Sequence, residues 1–146
     1  MSFFRASPQR VSLGLLVLRV AVAAVFIHHG YQKLFVYGIS GVTGAFTHMG
    51  VPMPGLMGPF IGILEFFGGI ALIIGLLTRL VALGLACDML GAIFLVLWSK
   101  GFGGFELEFL LCGGSLALAL AGAGRFSVDA LLANRGDKRA GEPIVQ

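Results

Sequence analysis

The chain has 146 residues, which is the length of one domain, and 58% of them are hydrophobic while only 12% are charged. A soluble domain is typically about 25% charged, so this composition, with a mean hydropathy of +0.97, excludes an ordinary soluble protein. The net charge of +3 comes mostly from the two ends of the chain. No basic stripe with interleaved aromatic residues accompanies it, which argues against nucleic-acid binding.

Four apolar runs are long enough to cross a bilayer, which needs roughly 20 apolar residues. The first run follows a short segment over residues 1–12 and ends without a signal-peptidase site, so we expect it to stay in the membrane. The connection over 36–56 is rich in Gly, Met and aromatic residues, which favours a short interfacial helix. A polar tail over 133–146 is predicted to be flexible. The predicted spans are residues 13–35, 57–77, 80–98 and 105–123.

These runs predict an all-α fold, namely an integral membrane four-helix bundle of up-down topology. Lys and Arg accumulate on the cytoplasmic side of membrane proteins. Basic residues crowd both ends of the chain and occur at Arg79 in the second connection, whereas the opposite side has only Lys33 and Lys100. We therefore expect both termini in the cytoplasm and a multi-pass protein of the cell inner (plasma) membrane.

Each apolar run carries ionisable residues, although a charge in hydrocarbon costs several kcal/mol. Such residues normally face a bundle interior and mark a pathway or a pocket. Arg19 and Asp88 each lie roughly eight residues from the inner end of their helices, at 1.5 Å per residue, so we predict a buried ion pair between them. A second, outer layer is expected from His29, Lys33, Glu65, Glu106 and Glu108.

Helical phase separates the two adjacent histidines. At about 100° per residue, His29 falls on the same side of the first helix as Arg19 and Lys33, so it should face the bundle. His28 falls on the opposite side and should face lipid, a neighbouring subunit or the headgroup layer. Because adjacent residues point apart, the two histidines cannot chelate one ion, and no metal motif is present.

Cys87 and Cys112 occur singly in apolar runs, with no C-x-x-C spacing. We interpret them as two buried free thiols that act as small hydrophobic residues. A redox pair would require the third and fourth helices to bring the two thiols together.

Taken in order, several short segments resemble the DoxX family of membrane proteins across about residues 13–132. The resemblance implies a four-helix inner-membrane protein, and relatives include the membrane subunit of an archaeal thiosulfate–quinone oxidoreductase. The polar positions of the family carry over to Arg19, His29, Lys33, Glu65, Asp88 and Glu106, while His28 has no counterpart. The segments are Leu18-Arg19, His29-Gly30-Tyr31-Gln32-Lys33, Glu65-Phe66-Phe67-Gly68-Gly69, Gly75-Leu76-Leu77-Thr78-Arg79, Asp88-Met89, Gly104-Phe105-Glu106 and the stretch from Gly122 to Asp129.

The first functional hypothesis is a subunit of a membrane redox system that binds a quinone headgroup in a polar pocket within the bundle. No soluble domain is predicted from the sequence, so we expect electrons to come from a partner, such as a soluble oxidoreductase, or from a bound cofactor. A homo-oligomer also stays open. The candidate catalytic residues are His29, Glu65 and Glu106, and the candidate ligand-binding residues are Arg19, Lys33 and Asp88.

Two other classes of function stay open. A non-catalytic membrane scaffold or assembly factor would recruit a partner enzyme, and its buried charges would only fix the packing of the helices. A small transporter is the third class, but four helices without an inverted repeat would have to oligomerise to form a pathway.

Overall fold

The computed structural model describes residues 7–140, which contain helices and no strands. The first helix, α1 (Pro8–Tyr31), begins at Ser7, whose Oγ accepts a hydrogen bond of 3.2 Å from the N–H of Arg10. Proline suits the first turn because its missing N–H would be unpaired there anyway. The helix continues as a π-helical segment, Gln32–Val36. The first apolar helix therefore starts about a turn earlier than the sequence predicts.

Two helices follow on either side of a proline-rich loop. The helix α2 (Gly38–His48) lies in the first connection, where a short helix is predicted. The helix α3 (Pro54–Ile74) ends at Gly75, which adopts a left-handed conformation with φ of 71°. A side chain there would also collide with the guanidinium of Arg19, so the turn needs glycine for its conformation and for space.

The second half of the chain contains three more helices. The helix α4 (Thr78–Gly91) continues as a π-helical segment, Ala92–Leu97, and a short 3₁₀ turn. The helix α5 covers Glu106–Ala121, and α6 covers Val128–Ala140. A flexible tail is predicted over 133–146. The structure has helix as far as Ala140, and the rest of that tail lies outside the described residues.

Three helices among the described residues are long and apolar enough to cross a membrane: Pro8–Val36, Pro54–Ile74 and Thr78–Lys100. The fourth predicted span corresponds to α5, which has only 16 residues. At 1.5 Å per residue α5 is roughly 24 Å long, shorter than a hydrocarbon core of about 30 Å. The fourth helix of the bundle is therefore present but shorter than the sequence predicts.

The helices pack mainly in two pairs, α1 with α3 and α4 with α5, and α3 joins the pairs through α4. A Cβ at Gly30 would overlap the backbone of Phe66, so α1 and α3 touch at the level of the main chain, as small residues permit in membrane bundles. The outer surface is strongly apolar: Leu110 is 71% and Leu120 81% exposed. Such exposure suits lipid rather than water. The shared core contains Val22, Ala23, Phe26, Leu72, Ala82, Leu85, Ala86, Met89, Leu111, Cys112 and Leu118.

Candidate functional site

A cavity of about 550 Å³ opens between α1, α3, α4 and α5. Its wall is mostly apolar, and α2 and the loop after it supply Phe46, Met49, Val51 and Pro52 to one side. Five acidic or basic side chains line it and define what we call the polar cavity: His29, Lys33, Glu65, Asp88 and Glu108. A mostly apolar wall with a few converging polar groups is typical of a small-molecule site.

An ion pair joins α1 to α3 inside the polar cavity. The Nζ of Lys33 donates a hydrogen bond to Oε2 of Glu65, at 2.5 Å. The Glu65 side chain is only 2% exposed and that of Lys33 21%. Lys33 lies in the π-helical segment that extends α1. Such π-helical turns are frequent at functional sites.

Asp88 reaches the same cavity from α4 and lies next to the Glu65 carboxyl group. Its Oδ2 is buried and has no hydrogen-bond partner among the described residues. Two neighbouring carboxyl groups face one ammonium group here, so the cluster has an acidic excess that a proton or a hydrogen-bond donor can neutralise.

His29 and Glu108 complete the ring of polar groups. His29 lines the polar cavity, whereas His28 is exposed on the other side of α1. The predicted inward orientation of His29 is therefore confirmed. On α5, Glu108 lines the cavity and Glu106 is exposed outside it. The sequence predicts both glutamates in the outer layer and Glu106 as a candidate catalytic residue; in the structure the cavity wall contains Glu108 and not Glu106. Which of the two faces the cavity depends on where α5 begins.

Arg19 lies apart from the polar cavity and does not pair with Asp88, which corrects that prediction. Its fully buried guanidinium donates a hydrogen bond of 2.6 Å to the Phe126 carbonyl. Arg19 is thus level with the turn before Thr78, whereas Asp88 lies about three turns further along α4. The depth estimate failed because it assumed that the inner ends of α1 and α4 are level.

The segment after α5 holds the Arg19 end of the bundle together. Asp129 accepts hydrogen bonds from the N–H groups of Leu77 (2.7 Å) and Thr78 (2.9 Å), and so caps the start of α4. Its own N–H donates to the Gly75 carbonyl at 2.9 Å. Burial alone raises the pKa of the Asp129 carboxyl, but these N–H donors and the Arg19 charge outweigh it and hold the pKa below its usual value. We call Arg19, Gly75, Phe126 and Asp129 the closing clamp.

Two parts of the site are not identified as such from the sequence. The first is Glu108, which is predicted in the outer layer but not as a candidate site residue, although the pattern on α5 favours it: Leu111, Cys112, Ser115 and Leu118 are buried, and Glu108 continues that stripe at helical spacing. The second is the contribution of α2 to the cavity wall. No local signal announces it, because it depends on how the connection folds back over the bundle.

Among the described residues, no group of three or more His, Cys, Asp or Glu side chains is arranged to hold a metal ion. The polar cavity can instead supply hydrogen-bond donors from Lys33 and His29 and exchange protons through its carboxyl groups. An uncharged or weakly charged polar headgroup with an apolar body would match this combination.

Comparisons with known proteins give the chain its family. The DoxX family model matches residues 14–98. Inner membrane protein YqjF of Escherichia coli (strain K12) is 38% identical over 82% of this chain and 92% of its own length. Putative oxidoreductase CatD of Bacillus subtilis (strain 168) is 34% identical, over 80% of this chain and 85% of its own. The uncharacterised membrane protein Rv3486 of Mycobacterium tuberculosis (strain ATCC 25618 / H37Rv) is also 34% identical, over 81% and 80%.

No solved structure matches the chain. The predicted resemblance is nevertheless confirmed, because the family model covers more than half of the sequence and the relatives align along most of it. The three apolar helices agree with the membrane location of those relatives. The chain is an inner-membrane protein and belongs to the DoxX family.

Proposed function

We propose that the chain is a membrane subunit of a redox system and that the polar cavity binds the headgroup of a quinone. The observation that carries the proposal is one cavity of about 550 Å³ that joins an apolar wall to five acidic or basic side chains. This volume lies within the usual range for small-molecule sites, about 300–1,000 Å³. The apolar wall would contact the ring and the start of the isoprenoid tail.

The residues present fit such a ligand. Lys33 and His29 each offer an N–H donor to a quinone carbonyl. Asp88 has a buried oxygen without a partner among the described residues, next to Glu65, so these two carboxyl groups can hold a proton for delivery into the cavity. Glu108, which lines the cavity, would act as the proton-exchanging carboxyl group on α5 in place of Glu106. A bound quinone would supply a redox couple that accepts two electrons and two protons.

Electrons would reach the cavity from a protein partner. We propose a soluble oxidoreductase as that partner. The name of the Bacillus subtilis relative, putative oxidoreductase CatD, supports a redox role.

We also propose an up-down bundle with both termini in the cytoplasm. The Arg19 end then faces the cytoplasm, in keeping with the basic residues near both chain ends, and the polar cavity lies towards the outer leaflet. Cysteine-labelling or reporter fusions at both termini test this: a terminus found on the outer side would contradict it.

The test is co-purification of quinone. Protein is purified in a mild detergent from a quinone-producing host, and bound quinone is quantified by mass spectrometry for wild type, His29→Ala and Glu65→Gln. We expect quinone in the wild type and a loss of at least five-fold in both variants. His28→Ala is the matched control, because it makes the same change on the exposed face and should retain quinone.

Thermal unfolding of each variant separates loss of ligand from loss of fold. Wild-type protein that carries no quinone when purified from a quinone-producing host would contradict the proposal.

The second candidate, a non-catalytic scaffold, is favoured by the buried polar contacts that join α1 to α3 and to the segment after α5. It predicts that Glu65→Gln lowers thermal stability and partner recovery together, with no effect specific to quinone.

A further inference from the structure

The interface between α3 and α4 is packed at one end and open at the other. Near the closing clamp the two helices touch: a Cβ at Gly68 would lie 3.2 Å from Cγ1 of Val81, and a Cβ at Gly84 would lie 3.4 Å from Cδ1 of Leu64. About two turns further along α4, a Cβ at Gly91 would meet nothing within 4 Å beyond its own helix, and Gly91 lines the polar cavity. The two helices therefore leave a gap beside Gly91.

The exposure of the cavity wall shows where the polar cavity reaches the surface of the bundle. Phe60 on α3 is 55% exposed and Leu95 on α4 is 59% exposed, and both line the cavity. Cys87 on α4 lines it and is exposed too, which corrects the prediction that both cysteines are buried. The cavity therefore opens between α3 and α4. By contrast, the cavity-lining side chains of α1 and α5 are buried or half-buried: His29, Lys33, Leu111 and Glu108.

This opening faces lipid. It lies between two helices that are long and apolar enough to cross a membrane, and it carries no charged side chain. We call Phe60, Cys87, Gly91 and Leu95 the lateral opening. The ion pair lies deeper in the cavity, because the side chain of Glu65 is 2% exposed. A ligand that enters through the lateral opening therefore passes an apolar rim before it meets the polar groups.

We propose that the lateral opening admits long-tailed, lipid-soluble quinones from the bilayer and holds the isoprenoid tail between α3 and α4 while the headgroup occupies the polar cavity. The inference rests on the proposed function, because it needs a quinone in that cavity. It goes further by naming the substrate class, a quinone with a long isoprenoid tail. It also identifies Gly91 as a residue that determines specificity, since the absence of a side chain there keeps the gap open.

The size of the polar cavity favours such an exit. A cavity of about 550 Å³ encloses a molecule of drug size, so a headgroup and the first part of a tail would fill it. The remaining isoprenoid units need apolar surroundings, because exposing their surface to water is unfavourable. A gap between two lipid-facing helices leaves that part of the tail in the hydrocarbon of the bilayer.

The first experiment locates the tail in the wild-type chain and therefore does not depend on the folding of a variant. The full chain in mild detergent is mixed with a ubiquinone analogue that carries a photoreactive diazirine near the start of its isoprenoid tail. After irradiation, mass spectrometry identifies the labelled residues. We expect the label on the lateral opening, at Phe60 and Leu95, and its loss when unlabelled ubiquinone competes. Leu110 and Leu120 on α5 are the control positions, because they are exposed and lie outside the cavity wall.

The second experiment closes the gap. Gly91→Leu places a side chain in it, and Gly113→Leu is the matched control, because Gly113 is a helical glycine with open space around it that does not line the cavity. Binding of ubiquinone with its long tail is compared with binding of duroquinone, a fully methylated benzoquinone without a tail. Gly91→Leu should weaken ubiquinone binding by about ten-fold, which corresponds to about 1.4 kcal/mol, and leave duroquinone binding within about two-fold of the wild type. Gly113→Leu should change neither.

Three results would overturn the inference and leave the proposed function standing. They are a competed label that lies away from α3 and α4, wild-type affinity for ubiquinone in folded Gly91→Leu protein, and an equal loss of both quinones in that variant. The last would mean that the added side chain closes the headgroup site and not the path of the tail. Wild-type protein that binds neither quinone would instead remove the proposed function together with the inference, so the two failures are distinguishable.

Discussion

Removing the ammonium group of Lys33 provides the sharpest test of how the polar cavity is stabilised. The Lys33→Met substitution keeps the length of the side chain and deletes its charge, which leaves the carboxylate of Glu65 buried without its cation. That carboxylate is 2% exposed and 2.5 Å from Nζ. Two unit charges at this separation attract by about 7 kcal/mol at an effective dielectric constant of 20.

Most of that attraction compensates the loss of hydration of the two groups, so the pair stabilises the fold by much less. Deleting one partner leaves the other charge buried without compensation, which typically lowers the free energy of unfolding by about 3–5 kcal/mol. We expect about 3 kcal/mol here, at the low end, because a fifth of the Lys33 side chain is exposed and the cavity can admit water. For a chain of this length that corresponds to a decrease in Tm of roughly 6–12 °C.

The assay is thermal unfolding in detergent, read as a double-mutant cycle. Adding Glu65→Gln to Lys33→Met should restore about 1–2 kcal/mol, because the uncompensated charge is then removed as well. Lys100→Met is the matched control: Lys100 is exposed, so its loss should change stability by less than about 0.5 kcal/mol. If the double variant is as unstable as the sum of the two single variants, the electrostatic argument is refuted.

Three further predictions test other parts of the structure. Glu108→Gln should reduce quinone retention in the co-purification assay several-fold, whereas Glu106→Gln should not; the opposite ranking would support the sequence-based choice. Gly30→Ala should destabilise the bundle by about 2–3 kcal/mol in thermal unfolding, since the added methyl group meets the α3 backbone, whereas Gly14→Ala, with open space around it, should gain up to about 1 kcal/mol. Asp129→Asn should lower the free energy of unfolding by about 1 kcal/mol near pH 7. Because the pKa of the Asp129 carboxyl is lowered in the fold, its stabilising effect is fully present above the ordinary pKa of 3.8 and disappears as the pH falls through the lowered pKa. The unfolding curves of wild type and variant should therefore converge at that low pH.

The features that were predictable from sequence are those that a single helix determines. The orientation of His29 towards the bundle and of His28 away from it follows from helical phase alone, and the structure agrees. The existence of the apolar helices follows equally from composition and run length. Neither inference requires knowledge of a neighbouring helix.

The features that were not predictable depend on how helices are placed relative to each other. Arg19 and Asp88 have similar positions within their own helices, but α1 and α4 are offset along their axes, so the two side chains lie at different levels. The choice between Glu106 and Glu108 required the start of α5 to within two residues, and helix boundaries are poorly determined by hydropathy. Sequence patterns therefore described each helix well and the contacts between helices poorly.

The closing clamp has a consequence for how the protein is made. Arg19 emerges from the ribosome early, but its hydrogen-bond acceptor on Phe126 is 107 residues later in the chain. Until that acceptor is synthesised, each nascent chain carries a buried cation in its first helix without its final partner, which is costly in hydrocarbon. We therefore expect the segment after α5 to complete the burial of the first helix, so a chain truncated before the clamp should be an early substrate for membrane quality-control proteases.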